Sequence, residues 1–241
     1  FWASNGLAAA EQPLRAMPKT HLDAAALRAR VREAGAGTLK LNGLGSNAVS
    51  FGGAELAGAL AAEGAGLTGL EIIDIELGAD GWRAVFEALR KGACPRLATL
   101  TLLYCDLGPA GGAALAAALV GGGCPALTTL LLGNNGLGDA GFGALAEALG
   151  RGACPGMATL GANYNGLTVL PEALCGVASL EELDLGYNDI GSLPHGLLHL
   201  TRLRRLHIKY NPRLAAEWEA MGKKNNDVGA LFAHLRSVHG G

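Results

Sequence analysis

An α/β solenoid built on one parallel sheet is the fold this sequence predicts, and three observations predict it. First, three thirty-residue lines align without a gap: "LTGLEIIDIELGADGWRAVFEALRKGACPR" from Leu67, "LATLTLLYCDLGPAGGAALAAALVGGGCPA" from Leu97 and "LTTLLLGNNGLGDAGFGALAEALGRGACPG" from Leu127. Second, the register continues in two twenty-three-residue lines, "MATLGANYNGLTVLPEALCGVAS" from Met157 and "LEELDLGYNDIGSLPHGLLHLTR" from Leu180, and in a partial line, "LRRLHIKYNPRL", from Leu203. Third, each long line changes period part-way, from the alternation of a half-buried strand to the 3.6-residue spacing of an amphipathic helix. A degenerate first copy, "AGTLKLNGLG", puts Leu39 and Leu41 in the strand positions.

The elements follow in chain order. "THLDAAALRARVREAG" predicts a capping helix with Thr20 as N-cap, Asp23 three residues on, and Leu27 and Val31 one turn apart. In the strands, leucine pairs such as Leu100/Leu102, Leu130/Leu132 and Leu183/Leu185 point inward, and Leu107, Leu137, Leu167 and Ile190 close the same core. Asn135, Asn165, Asn188 and Asn211 share one position after the strand, where a buried amide can satisfy the turn's backbone groups. Cys105 replaces Asn once, while Ile75 and Leu44 depart from it at the N-terminal end.

A G-x-x-G pair then recurs as Gly78/Gly81, Gly108/Gly111 and Gly138/Gly141, marking the turn from strand to helix. Gly136 adds a third glycine once and completes G-x-G-x-x-G. That fingerprint would hold a dinucleotide pyrophosphate, but the acid expected about 20 residues on is replaced by "RGACPG". The match is read as a by-product of the repeat, and Gly136 as a variable position.

Two helices are expected to turn Phe142, Glu147 and Arg151, and Trp82, Glu87 and Lys91, to solvent, each with an acid-to-base i,i+4 pair. The helix between them has Gly112, Ala117 and Gly121 there instead. At the end, Leu231, Phe232 and Leu235 would pack a closing helix on the last repeat.

These lines resemble leucine-rich repeats, L-x-x-L-x-L-x-x-N-x-L. The thirty-residue units are similar to the ribonuclease-inhibitor class. The twenty-three-residue units, with Leu170-Pro171 and Leu193-Pro194, are similar to the shorter typical class. The resemblance covers about residues 36–214 in seven copies and implies a curved right-handed horseshoe with a parallel concave sheet and helices on the convex side. Residues 1–35 are then an N-terminal segment with its capping helix, and 215–241 a C-terminal cap similar to that of intracellular typical-class proteins, with a longer link and no Pro-Pro.

Composition narrows the function. The 241 residues are half apolar and carry a net charge of −2, which draws the chain to neither nucleic acid nor membrane as a whole. Residues 201–241 nevertheless hold eight Lys/Arg against three acids, and the first 200 hold eleven against eighteen. The uncharged run 107–138 is interrupted by Gly121-Gly122-Gly123 and Pro125, a turn rather than a span. The chain opens on Phe1 with no signal-peptide pattern, which predicts a fragment or a processed chain. Cys94, Cys124 and Cys154 fall at one repeat position, each before a proline. With Cys105 and Cys175 they number five and form no C-x-x-C, so reduced thiols and no metal site are expected. An intracellular protein follows, cytoplasmic first, with cilium and organelle interior also open.

His195 and His199 stand four apart without a third ligand, and neither a nucleophile elbow, an HExxH nor a P-loop is present. The expectation is a non-enzyme without cofactor. The concave face is the candidate site, and the residues assigned to partner contact are Ile73, Asp74, Leu103, Tyr104, Leu131, Tyr164, Asp184, Tyr187, Arg205, His207, Lys209 and Tyr210. All four tyrosines fall in one column, an arrangement that suits either partner contact or stacking along the ladder edge. Arg205, His207 and Lys209 suit an acidic surface. The small-residue strip of the helix in 97–126 is a second candidate surface.

The expected function is a protein-interaction or scaffold module in a larger assembly. Two alternatives stand beside it. One is a regulator of a GTPase or phosphatase, because the two repeat classes also resemble those of Ran GTPase-activating proteins and phosphatase-regulatory subunits. The other is a peptide or small-ligand sensor, which requires one dominant concave pocket.

Overall fold

A computed structural model describes residues 19–44, 48–220 and 227–239. Seven parallel strands form one sheet in sequence order: β2 (Thr38–Asn42), β4 (Gly69–Ile73), β5 (Thr99–Leu103), β6 (Thr129–Leu131), β7 (Thr159–Gly161), β8 (Glu182–Asp184) and β9 (Arg205–His207). Each inward leucine pairs with its counterpart one repeat away. Leu39, Leu70, Leu100, Leu130, Leu160, Leu183 and Leu206 are thus in register across the sheet, and all are buried. An α/β solenoid is therefore the fold, with one continuous apolar core between sheet and helices.

Behind the sheet run α1 (Ala24–Ala34), α2 (Gly53–Glu63), α3 (Gly78–Arg90), α4 (Gly108–Val120) and α5 (Gly138–Gly150). In the short repeats the helices give way to 3-10 turns at Glu172–Gly176 and His195–His199. The first short repeat also loses a turn glycine, which the second keeps as Gly191. Thr168 occupies the register position of Gly78, Gly108 and Gly138, which open the three long helices with φ of +66°, +60° and +56°. L-residues with a side chain avoid that conformation, so the glycines are required there.

Asp139, in the first turn of α5, clamps this junction. Its carboxylate accepts from the backbone N–H of Thr168 (2.8 Å) and of Val169 (3.2 Å), and from the Thr168 hydroxyl. Partial burial opposes its charge, but these hydrogen bonds prevail and hold the carboxyl below its ordinary range. Because the folded state binds this proton less tightly than the unfolded chain, the contribution is full above about pH 4 and disappears as pH falls through the folded value. Asp139→Ala is expected to cost about 1–2 kcal/mol at pH 7 by urea denaturation, and markedly less at pH 3. An equal loss at both pH values would remove the ionic role.

Three expectations about side chains are corrected. Thr20 does not cap α1. It lies in β1 (Thr20–His21), paired with β3 (Val49–Ser50), and Asp23 caps the helix by accepting from Ala26 N–H at 2.8 Å. Trp82 and Phe142 are not on the solvent face but fully buried. Helical spacing places 82, 85, 86 and 89 on one inward stripe, and 142, 145, 146 and 149 on its counterpart. Gly112 is buried as well, since an added Cβ would meet Gly141 of the neighbouring helix at 2.9 Å.

The solvent-facing ion pairs are present: Glu147–Arg151 at 2.9 Å and Glu87–Lys91 at 3.4 Å, with Arg90 closer to Glu87 at 2.6 Å. At the C-terminal end, β9 leads through Pro212–Leu214 to α6 (Ala215–Ala220) and then α7 (Val228–His239). Leu231 and Leu235 of α7 are buried, with Phe232 packed against the same core.

Candidate partner-binding site

The site is assembled from the ladder outward. Asn165 Nδ2 donates to the carbonyls of Leu132 (2.8 Å) and Asn163 (3.1 Å), and its Oδ1 accepts from the N–H groups of Asn135 and Leu137, both at 3.2 Å. Asn135, Asn188 and Asn211 repeat the pattern, so each amide joins its own turn to the repeat before it. Cys105 performs half of it: the thiol points to the Ile72 and Leu103 carbonyls, at 3.4 and 3.2 Å, the same offsets that Asn135 Nδ2 serves.

The residue before each ladder position is held in the left-handed region. Asp74, Tyr104, Asn134, Tyr164, Tyr187 and Tyr210 have φ between +54° and +61°. Asn and Asp tolerate this conformation, whereas a bulky residue adopts it only where its surroundings compensate. For three tyrosines the compensation is visible. Tyr164 stacks on Tyr187 at 4.0 Å between centroids and 12° between planes, and Tyr187 on Tyr210 at 4.1 Å and 27°. Asn134 separates Tyr104 from this stack in the column. Lys209 places its ammonium 4.6 Å from the Tyr210 ring centre. A hydrogen bond from that ammonium holds the Tyr210 phenol below its ordinary range, while burial between its neighbours pushes Tyr187 up.

On the sheet itself Ile73 and Leu103 are in register and half-buried, and Leu131 lies beside Thr101 on the next strand. Cross-strand ion pairs flank this apolar centre, Lys40–Glu71 at 3.3 Å on one side and Glu182–Arg205 on the other. Asp184 faces His207 across β8 and β9. Burial raises its carboxyl above the ordinary range, against the Gly186 N–H at 2.9 Å and the imidazole. Asp74 is drawn inward instead. It is 5% exposed and faces Lys19 at 3.7 Å, so of the sequence-assigned residues it offers least to a partner.

The G-x-G-x-x-G glycines have other duties. Gly138 N–H donates to the Asn165 carbonyl at 3.0 Å, and the Asp139 carboxylate that follows is turned to the N–H groups of Thr168 and Val169. Gly136 is not a free choice of the sequence either. With φ +61° it matches Asp106 (+49°) and Gly166 (+67°), one turn position that recurs in successive repeats. His195 and His199 are exposed on their 3-10 turn, and no cluster of three metal-ligating side chains occurs among the described residues. All five cysteines are buried and free, and burial pushes their thiols up to about 11 for Cys154 and about 12 for the others. No described helix is long and apolar enough to cross a membrane.

A family model described as Leucine Rich repeat matches residues 123–146 and 178–193, stretches that contain the ladder residues Asn135 and Asn188. Those two stretches are leucine-rich repeats. Among solved structures, the BIR2 ectodomain from Arabidopsis thaliana is 22% identical, with 38% of this chain and 45% of that one covered and a TM-score of 0.30. A TLR13–ssRNA13 complex is 21% identical, with 69% of this chain and 21% of that one covered and a TM-score of 0.45. The chain thus spans less than half the length of either. No curated protein matches it. Leucine-rich-repeat solenoids use their extended sheet face for protein–protein contact.

Proposed function

We propose that the chain is a non-catalytic interaction or scaffold module that binds a protein partner through the open face of its sheet. In this reading, residues 36–214 present the surface and residues 1–35 and 215–241 cover the ends. The observation that carries it is the column of strained tyrosines, three of them stacked, along the sheet that also carries Leu103 and Leu131. Backbone strain at successive repeats, spent on rigid amphipathic rings at a surface, is a costly way merely to close an edge, and such rings suit partner contact. A small-ligand sensor would have to use the recess of about 200 Å³ beside β1–β3, lined by Lys19, Val49, Ser50, Phe51, Asp74, Ile75 and Glu76, rather than the centre of the sheet. The recess on the sheet face, lined by Thr159, Leu160, Glu182, Leu183, Asp184 and His207, is about 10 Å³, barely room for one water. The five buried free thiols support placing this module inside the cell.

The test is affinity capture from native lysate with wild type and a Tyr164→Asn/Tyr187→Asn double variant. Asn is chosen because it keeps the left-handed backbone that Ala would strain, as Asn134 already does. Capture of a partner by wild type, reduced at least tenfold in a variant with unchanged circular dichroism, is expected. Undiminished capture would assign the rings to edge packing alone.

A further inference from the structure

The sheet face is segregated by charge. Lys40 and Glu71 neutralise each other, and from β5 to β7 the face presents Thr99, Leu103, Thr129, Leu131, Thr159 and Asn163, none of them charged. Beyond this panel the acids of β8 are weakened as anions. Glu182 is engaged by Arg205, and burial opposes the ionisation of Asp184. Lys209, in contrast, has the Tyr210 ring as its neighbour and no carboxylate partner among the described residues. Arg205 and Lys209 are both exposed, and Tyr210 keeps half of its surface in solvent.

The stack decides what kind of ligand suits this end. Ring centres 4.0 and 4.1 Å apart are in contact, so no planar group enters between them, and the outer end of the stack carries Lys209. A ligand at Tyr187 and Tyr210 therefore meets ring edges and phenol hydroxyls rather than ring faces. Hydroxyl donors beside an ammonium and an imidazole are complementary to carboxylates, and poorly suited to a base that binds by stacking.

We propose that the β8–β9 end of the face, with Tyr187, Tyr210, His207 and Lys209, takes an acidic segment of a partner protein whose nearby apolar residue rests on Leu103 and Leu131. This rests on the reading of the sheet face as the binding surface. The strands fix a spacing. From β6 to β9 is three inter-strand steps, about 14 Å, which an extended chain covers in about four residues. The recognised segment therefore carries its carboxylates about four residues from its apolar anchor.

The experiment uses a fluorescein-labelled peptide of two leucines, a four-residue Gly/Ser spacer and three glutamates, with a glutamine version as control. Fluorescence anisotropy is read against the chain as it exists. Expected are binding that weakens at least tenfold in Lys209→Glu, at least tenfold in the glutamine peptide, and steeply between low and high salt. Leu131→Asp is expected to weaken both peptides. Equal binding of the two peptides, or affinity unchanged in Lys209→Glu, overturns the acidic-segment assignment. If Leu131→Asp still abolishes partner capture from lysate, the sheet-face reading survives that failure, and if it does not, both fall. Absence of glutamate-peptide binding also overturns the assignment, as does Lys209-dependent binding found only with phosphatidylserine vesicles or a single-stranded oligonucleotide. Unchanged circular dichroism of each variant keeps misfolding out of the comparison.

Discussion

Asn165→Ala is expected to destabilise the chain by about 4 kcal/mol, measured as the loss of unfolding free energy in urea. The amide is 2% exposed and makes four hydrogen bonds, three of which join two repeats. Truncation leaves two N–H groups and the Leu132 carbonyl buried without it, each worth about 1–3 kcal/mol when unsatisfied, while the Asn163 carbonyl still accepts from Asn134 N–H at 3.0 Å. Cys105→Ala is the comparison, because Cys105 supplies only a weak S–H donor and no acceptor to the repeat before it. Its loss is expected to be under about 2 kcal/mol. Equal losses at the two sites would mean that the bridge between repeats contributes little.

Trp82→Ala is expected to cost about 4 kcal/mol, by the same measurement. The indole is fully buried, stacks with Phe86 at 5.6 Å between centroids and donates from Nε1 to the Cys105 carbonyl at 3.1 Å. It therefore joins a helix to the ladder turn of the following repeat. Trp82→Phe separates the two contributions: it keeps much of the apolar volume and orphans the carbonyl, for an expected loss of about 2 kcal/mol. A Trp82→Phe variant as unstable as Trp82→Ala would place the whole effect in the hydrogen bond, and one as stable as wild type would place it in packing.

The sequence alone showed the inward leucines, the ladder asparagines and the recurring glycine pairs. Each is a short pattern confirmed by repetition at a fixed spacing. It misplaced Trp82 and Phe142 because both were grouped with charged residues five positions away, across the helix. The stripe through 85, 86 and 89 gives the correct phase. It also took Thr20 for the N-cap, where two competent residues compete and the pairing with Val49 decides. In the candidate site the tyrosine column was visible as a column. Its left-handed backbone was hinted at only by Asp74 and Asn134, the two members whose residue types tolerate that conformation.

The sequence by itself determined the repeat, its register and the residues that face the core, because these follow from periods of two, 3.6 and thirty residues written locally in the chain. Only the tertiary structure decided that Tyr164, Tyr187 and Tyr210 stack, that Asp139 clamps the junction of the two repeat lengths, and that Glu182 is engaged by Arg205 while Lys209 faces a ring. Several of these contacts join residues 23 to 30 positions apart that the sheet brings to about 4.8 Å, so each depends on what a neighbouring repeat supplies.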